Sequence, residues 1–305
     1  MKSKAKKMRR YLPLYLMFLP GALYILINNY IPMYGLIVAF KQYNVRKGIW
    51  DSAWVGLKNF KFLFATPDAL VITRNTILYN VTFITINTVI GILFAIFICD
   101  TVNKKLQKMY QSAILFPFLM SAVILSYIVY AFLSQSTGIV NNSILPSLGM
   151  DPVNWYSEAK YWPVILIFVN TWKGIGYGTL IYISSINGID PSYYEAAQLD
   201  GASKWQQIKS ITLPSVVPTM ITLTLMSVGR IFYSDFGLFY QVPRNSGMIY
   251  STTNVIDTYV YRGLMEQSNV GMSAAAGFYQ SLVGFALVLV ANLVVRKFSK
   301  EHALF

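Results

Sequence analysis

Side chains that ordinarily do chemistry are scarce in this chain and far apart. There is one cysteine, Cys99, inside an apolar run, and one histidine, His302, near the C-terminal end. A single Cys forms no intrachain disulfide, and a single His without neighbouring Cys builds no zinc site. A Cys–His nucleophile pair would need two chains. No carboxylate pair sits within an apolar run either, which leaves acid–base chemistry without its parts. The densest polar group in apolar surroundings is Asn170-Thr171-Trp172-Lys173-Gly174-Ile175-Gly176-Tyr177. Here Asn170 offers amide hydrogen bonds, Trp172 and Tyr177 offer faces on which a ring-shaped solute could stack, and the glycines allow a bend. Lys173 would suit an anion. Arg230 and Asp235 add two charges in a later apolar run, as an ion pair or gate contact first and a solute contact second. Polar groups inside such runs are costly and tend to line a cavity. The plainer reading is that the two rings are helix packing and that Lys173 snorkels to an interface.

The elements that must position these residues are long and apolar. Of 305 residues, 55% are hydrophobic and 12% charged, with a positive mean hydropathy, whereas a soluble domain carries roughly a quarter charged residues. That leaves too little polar surface to face water on all sides, so the fold class is an all-α integral membrane protein. A bilayer core of about 30 Å takes roughly 20 apolar residues as helix. Crossing helices are expected at about 12–32, 75–99, 110–133, 162–187, 213–236 and 274–295, six in one membrane domain over 11–297. The stretch 11–40 carries Pro13, Pro20 and Pro32 and should leave the membrane near residue 30. Lys173 and Gly174 are expected to interrupt the fourth span, and 134–138 with 141–143 to form a loop after the third.

The net charge is +13. The basic residues sit mostly at the ends of apolar runs, which reads as topology signals beside a bilayer and against nucleic acid. Residues 1–10 hold six of them and look like the start of a signal peptide, but the uncharged stretch that follows is too long and shows no clear cleavage site, so an uncleaved first span is expected. With both termini in the cytoplasm, including a tail at 298–305, fourteen basic residues lie inside and nine outside. Trp50, Trp54, Phe60 and Phe62, and the Tyr- and Phe-rich segment 236–262, read as interfacial anchors.

This topology makes 188–214 the longest inner loop, and its sequence is not that of a loose connector. Pro191 can start a helix after Asp190, Ser192 and Glu195 fit a capping box, and Gly201 can end the helix with a backbone angle that other residues resist. Ala202 to Ser210 can form a second helix with Trp205, Ile208 and Ile211 on one side, and Leu213-Pro214 leads into the fifth span. Such a rigid knob fixed between two spans could move them as a lever. Small Ala196 and Ala197 would let it pack closely into a partner's groove.

The string Glu195-Ala196-Ala197, three residues, Gly201, nine residues, Ile211-Thr212-Leu213-Pro214 resembles the EAA loop of bacterial ABC-importer permeases in residue and spacing. The resemblance extends over essentially the whole chain. Arg10-Tyr11-Leu12-Pro13-Leu14-Tyr15, Tyr30-Ile31-Pro32-Met33-Tyr34-Gly35 and Gly56-Leu57-Lys58-Asn59-Phe60 are similar to the carbohydrate-uptake branch, maltose-type permeases for complex oligosaccharides and polysaccharide fragments among them. It implies the type I permease fold with a cytoplasmic coupling helix, in which Glu195, Ala196, Ala197, Asp200, Gly201, Leu213 and Pro214 couple to an ATPase. It implies a second homologous permease, two ATPase subunits that bind ATP and Mg, an extracellular solute-binding protein, an oligosaccharide cargo and a place in the bacterial cytoplasmic membrane among lipid. On the same resemblance Asn170, Gly174 and Tyr177 fall on sugar-contact positions, with Arg230 further along the pathway. Lys173 departs from the apolar residue favoured there.

The residues agree with that division of labour. No Gly-Lys dipeptide occurs, so this chain has no Walker A loop. No enzymatic activity, cofactor or metal is expected of it. An ion-gradient-driven secondary transporter is the alternative, but it would want buried carboxylates and internal repeats, and only Asp235 lies near a span's interior.

Overall fold

The computed structural model describes residues 2–65 and 67–298. The tail from residue 299, with Lys300 and His302, lies outside the described residues, as do the side chains of residues 2–10 and of Phe62. The chain divides into two units, one of residues 1–66 with 260–278 and one of residues 67–259 with 279–305.

In the first unit, α1 (Lys2–Ile25) continues through Leu26–Tyr30, Ile31–Met33 and Tyr34–Phe40 without leaving helical geometry. Its uncharged part, Tyr11–Phe40, is exposed over its most apolar window. The helical geometry thus continues past residue 30 to Phe40. The all-helical expectation has one small exception, an antiparallel hairpin of β1 (Lys41–Asn44) and β2 (Ser52–Trp54). Lys41 is buried in it and donates to the carbonyls of Ile49 and Trp50 at 2.9 and 2.7 Å. Phe40, Trp54, Phe60 and Phe278 form a ring cluster with centroids 5.3–5.8 Å apart. Phe60 is thus a packing residue rather than an interfacial anchor, while Trp50 stays exposed.

In the second unit, α2 (Asp68–Asp100) and α5 (Trp162–Asn187) lie along one another. At Gly91 the two helices are close: a Cβ there would make ordinary van der Waals contact with the Tyr182 ring at 3.4 Å. One apolar cluster gathers Tyr79, Phe83, Trp162, Leu166, Leu238 and Phe239; another gathers Ala95, Ile98, Tyr182, Ile183, Ile186 and Val216. The segment 236–262 contributes Leu238, Phe239, Val242 and Ile249 to the first cluster, so much of it is core rather than an interfacial belt. α5 is unbroken through Lys173 and Gly174. Gly176 is a notch, not a bend: a Cβ there would collide with the backbone carbonyl of Ile114 on α3 (Lys104–Leu115).

Two expected spans differ. Residues 110–133 are not one helix: α3, prolonged by a turn through Phe116–Leu119, meets α4 (Ala122–Leu133) at a bend of 97°. Pro117 stops the first helix, Met120 is extended, and Ser121 starts the second by accepting from the Ile124 amide at 3.3 Å. The fifth stretch begins earlier and ends earlier. α7 (Lys204–Gln207) passes through a widened turn, Ile208–Thr212, into α8 (Leu213–Val228), making Lys204–Val228 one apolar helix. The second short helix therefore does not stop at Ser210. Widened turns also occur at Leu26–Tyr30 and Val140–Ile144, and each of the three is followed two residues on by a proline, at Pro32, Pro146 and Pro214. A proline cannot donate to the fourth carbonyl behind it, and the wider ladder gives its ring room. Among the described residues five helices are long and apolar enough to cross a membrane, and a sixth is if the bent α3–α4 pair is one crossing.

Candidate functional site

α6 (Pro191–Leu199) begins where Asp190, in extended backbone, accepts from the Ser192 amide at 2.9 Å and Pro191 takes the first helical position. That bond holds the Asp190 carboxyl below its ordinary range. Ser192 and Glu195 form no capping box, because Pro191, with φ already helical, puts the cap one residue before Ser192. The box lies at α7 instead: the Ser203 amide donates to Gln206 Oε1 at 2.7 Å and the Gln206 amide to Ser203 Oγ at 3.4 Å.

Gly201 ends α6 at φ +76°. Its amide donates to the Gln198 carbonyl at 3.0 Å and that of Ala202 to the Ala197 carbonyl at 2.8 Å, which is the Schellman arrangement. Between these ends α6 buries none of its residues: Glu195, Ala196 and Asp200 are exposed, Ala197 is half-buried, and Leu199 is 90% exposed. The helix is nonetheless held. The Tyr194 hydroxyl meets Thr212 Oγ1 at 2.9 Å, and Lys204 Nζ meets Asp100 Oδ1 at 2.7 Å, joining α7 to the end of α2. A cleft of about 540 Å³ lies between α6 and the ends of α2 and α5, lined by Glu195, Tyr194, Asn187 and Cys99 among others. Leu213 is half-buried and Pro214 exposed, within the helix that continues from α7.

Midway along α2 and α5 a second site opens, a groove of about 490 Å³. Its polar lining is Asn80, Asn87 and Thr88 from α2, Asn170, Tyr177 and Tyr182 from α5, Ser227 at the end of α8, and Arg230 and Tyr233 from the turn that follows. Asn87 Nδ2 donates to Asn170 Oδ1 at 3.0 Å, and Gly174 faces the same amide. Among the described residues no carboxylate lines the groove. Among the described residues none lies within 4 Å of the Arg230 guanidinium.

Residues 87–300 match the family described as the binding-protein-dependent transport system inner membrane component. The chain belongs to this family. Over 288 residues it is 32% identical to the polygalacturonan/rhamnogalacturonan transport system permease protein YteP of Bacillus subtilis, covering 94% of this chain and 89% of that one. It is also similar to a solved bacterial ABC transporter involved in the import of the acidic polysaccharide alginate, with a TM-score of 0.88 and 33% identity over 97% of this chain and 99% of that one. A bacterial alginate ABC transporter in complex with an alginate pentasaccharide-bound periplasmic protein matches with a TM-score of 0.87 and 34% identity over 97% and 98% of the two chains. The fold is accordingly that of an ABC importer permease, and this chain is an inner-membrane component of such a transport system.

Within that permease fold, four of the five residues picked from sequence for a solute pathway, Asn170, Gly174, Tyr177 and Arg230, line one groove. The fifth, Lys173, does not line it. Lys173 turns to Asp235 at 3.8 Å, and Asp235 also caps the next helix, α9 (Phe236–Gln241), by accepting from the Leu238 amide at 3.1 Å. Asp235 thus pairs with Lys173 and not with Arg230. Trp172 leaves the groove altogether for an apolar surface beside Phe132 and Phe168. Tyr177 keeps an exposed ring, with one face stacked on Phe118 at 5.4 Å. Sequence reasoning missed Asn80, Asn87 and Tyr233. Two amides seven residues apart on one face of an otherwise apolar helix were the available signal.

Proposed function

We propose that this permease is one half of a heteromeric, ATP-driven importer of oligosaccharides, with α6 as the coupling helix. Its partners are then a second, homologous permease, two ATPase subunits that bind ATP and Mg, and an extracellular solute-binding protein. The chain itself carries no cofactor, and both termini face the cytoplasm with α6 on the same side. The observation that carries the reading is the combination at α6. The helix is capped at both ends and tied to Thr212, yet it buries none of its own residues. A rigid helix with a free outer surface, joined to two crossing helices, can pass a push from a partner to both. The relatives' cargo supports the saccharide: one is a polygalacturonan/rhamnogalacturonan permease and another imports alginate.

The test is uptake of a labelled oligosaccharide panel by liposomes holding the whole complex, with ATP and Mg inside and the binding protein outside. Uptake that needs ATP and is indifferent to ionophores is expected. Uptake without ATP that collapses with an ionophore would establish the secondary-transporter alternative instead.

A further inference from the structure

We infer that the groove between α2, α5 and the turn after α8 recognises a carboxylate-bearing sugar, a uronate unit, and that Arg230 is the residue that reads its charge; this rests on the importer reading above. The groove sits midway along two helices long enough to cross a bilayer. At that depth an ionised side chain is expensive and is ordinarily paired. The neighbouring charges show the usual solution, since Lys173 and Asp235 satisfy each other. Arg230 has no such partner among the described residues, and no acidic side chain lines the groove it enters. The site therefore carries one unbalanced positive charge, which an anionic cargo would balance.

The backbone that presents Arg230 is held from three directions. Asn80 Nδ2 on α2 donates to the Ile231 carbonyl at 2.9 Å. Gln280 Nε2 on α11 (Val270–Phe298) donates to the Phe232 carbonyl at 2.6 Å, and the Ser234 amide donates to Asp257 Oδ2 on α10 (Ile256–Met265) at 2.7 Å. Phe232 beneath the turn is 1% exposed. A guanidinium on a fixed turn can meet a planar carboxylate with two parallel hydrogen bonds. The neutral groups suit the rest of a sugar. The Tyr177 hydroxyl and Asn170 Nδ2 have no protein partner among the described residues, leaving both for sugar hydroxyls. The exposed rings of Tyr177 and Tyr233 offer apolar faces for a pyranose. The volume of about 490 Å³ is that of a small-molecule site, roughly 300–1,000 Å³ in general.

The experiment compares wild type, Arg230→Gln and Arg230→Lys in the complete importer, normalised to the amount of chain in the membrane. The probes are trigalacturonate, its methyl ester and a sulfated neutral trisaccharide, and capture of each by the binding protein is measured separately. The wild type should import trigalacturonate, and Arg230→Gln should slow it about tenfold or more, the scale of a lost charge-assisted contact. Arg230→Lys should recover part of that loss, which a purely structural arginine would not do. Trigalacturonate uptake by Arg230→Gln at the wild-type rate would overturn the inference. So would import of the methyl ester, once captured, or of the sulfated probe in preference to the acid. If the wild type shows no ATP-dependent uptake of any saccharide, the importer reading itself fails, a different outcome from uptake that ignores residue 230.

Discussion

α6 and the mid-helix groove differ in how their residues are brought together. α6 is built from neighbours in sequence: Asp190 caps it, Pro191 starts it and Gly201 ends it, and its outer side chains are exposed. The groove is built from residues as distant as Asn80 and Arg230, which share a site only because α2, α5 and α8 pack. One is a local shape with an exposed outer surface; the other is a groove whose walls come from separate helices. On the importer reading proposed above, work enters at α6 and is delivered at the groove.

Gly201 is where the comparison breaks most visibly. A Cβ at Gly201 would meet nothing within 4 Å, so the demand on this position comes from φ +76° alone. A left-handed backbone costs an ordinary L-residue about 1–2 kcal/mol. Gly201→Val should abolish most ATP-dependent uptake while the chain still reaches the membrane, and Gly201→Asn, which tolerates that conformation, should retain most of it. Equal loss in both variants, measured as uptake per membrane-inserted chain, would mean that the outer surface and not the turn geometry matters. A smaller effect is expected at the groove. Asn80→Leu removes the amide that holds the Ile231 carbonyl and should destabilise the chain by about 1–3 kcal/mol. A thermal melt of the detergent-purified protein reads this directly. An unchanged melt would show that the Arg230 turn is held without Asn80.

The same contrast explains what could be read from the residues alone. Pro191 and Gly201 were legible because their conformational limits act locally and survive any tertiary context. The capping box was misplaced by the same local chemistry: Pro191 had already set the first helical position, so Asp190 became the cap and the box formed at Ser203 and Gln206. The expectation of six crossings rests on apolar length, and apolar length is silent about the 97° bend, which Pro117 and Ser121 impose inside an unbroken hydrophobic run. Gly176 resembled a hinge in sequence and is a packing notch, because only the fold places the Ile114 carbonyl against it. The sequence offers Lys173 for an anion and Arg230 first as an ion pair or gate contact with Asp235. What separates them is Asp235, which reaches one and not the other.

On the proposed reading, α6 is where a separate ATPase grips this permease. Placing a cysteine at Ala196 in a Cys99→Ser background, and probing the assembled complex with a short thiol crosslinker, tests it most directly. A covalent adduct between this chain and the ATPase subunit, changing in yield when ATP binds, is expected. An Ala196→Cys chain that transports normally yet never crosslinks to the ATPase, with or without ATP, would contradict it.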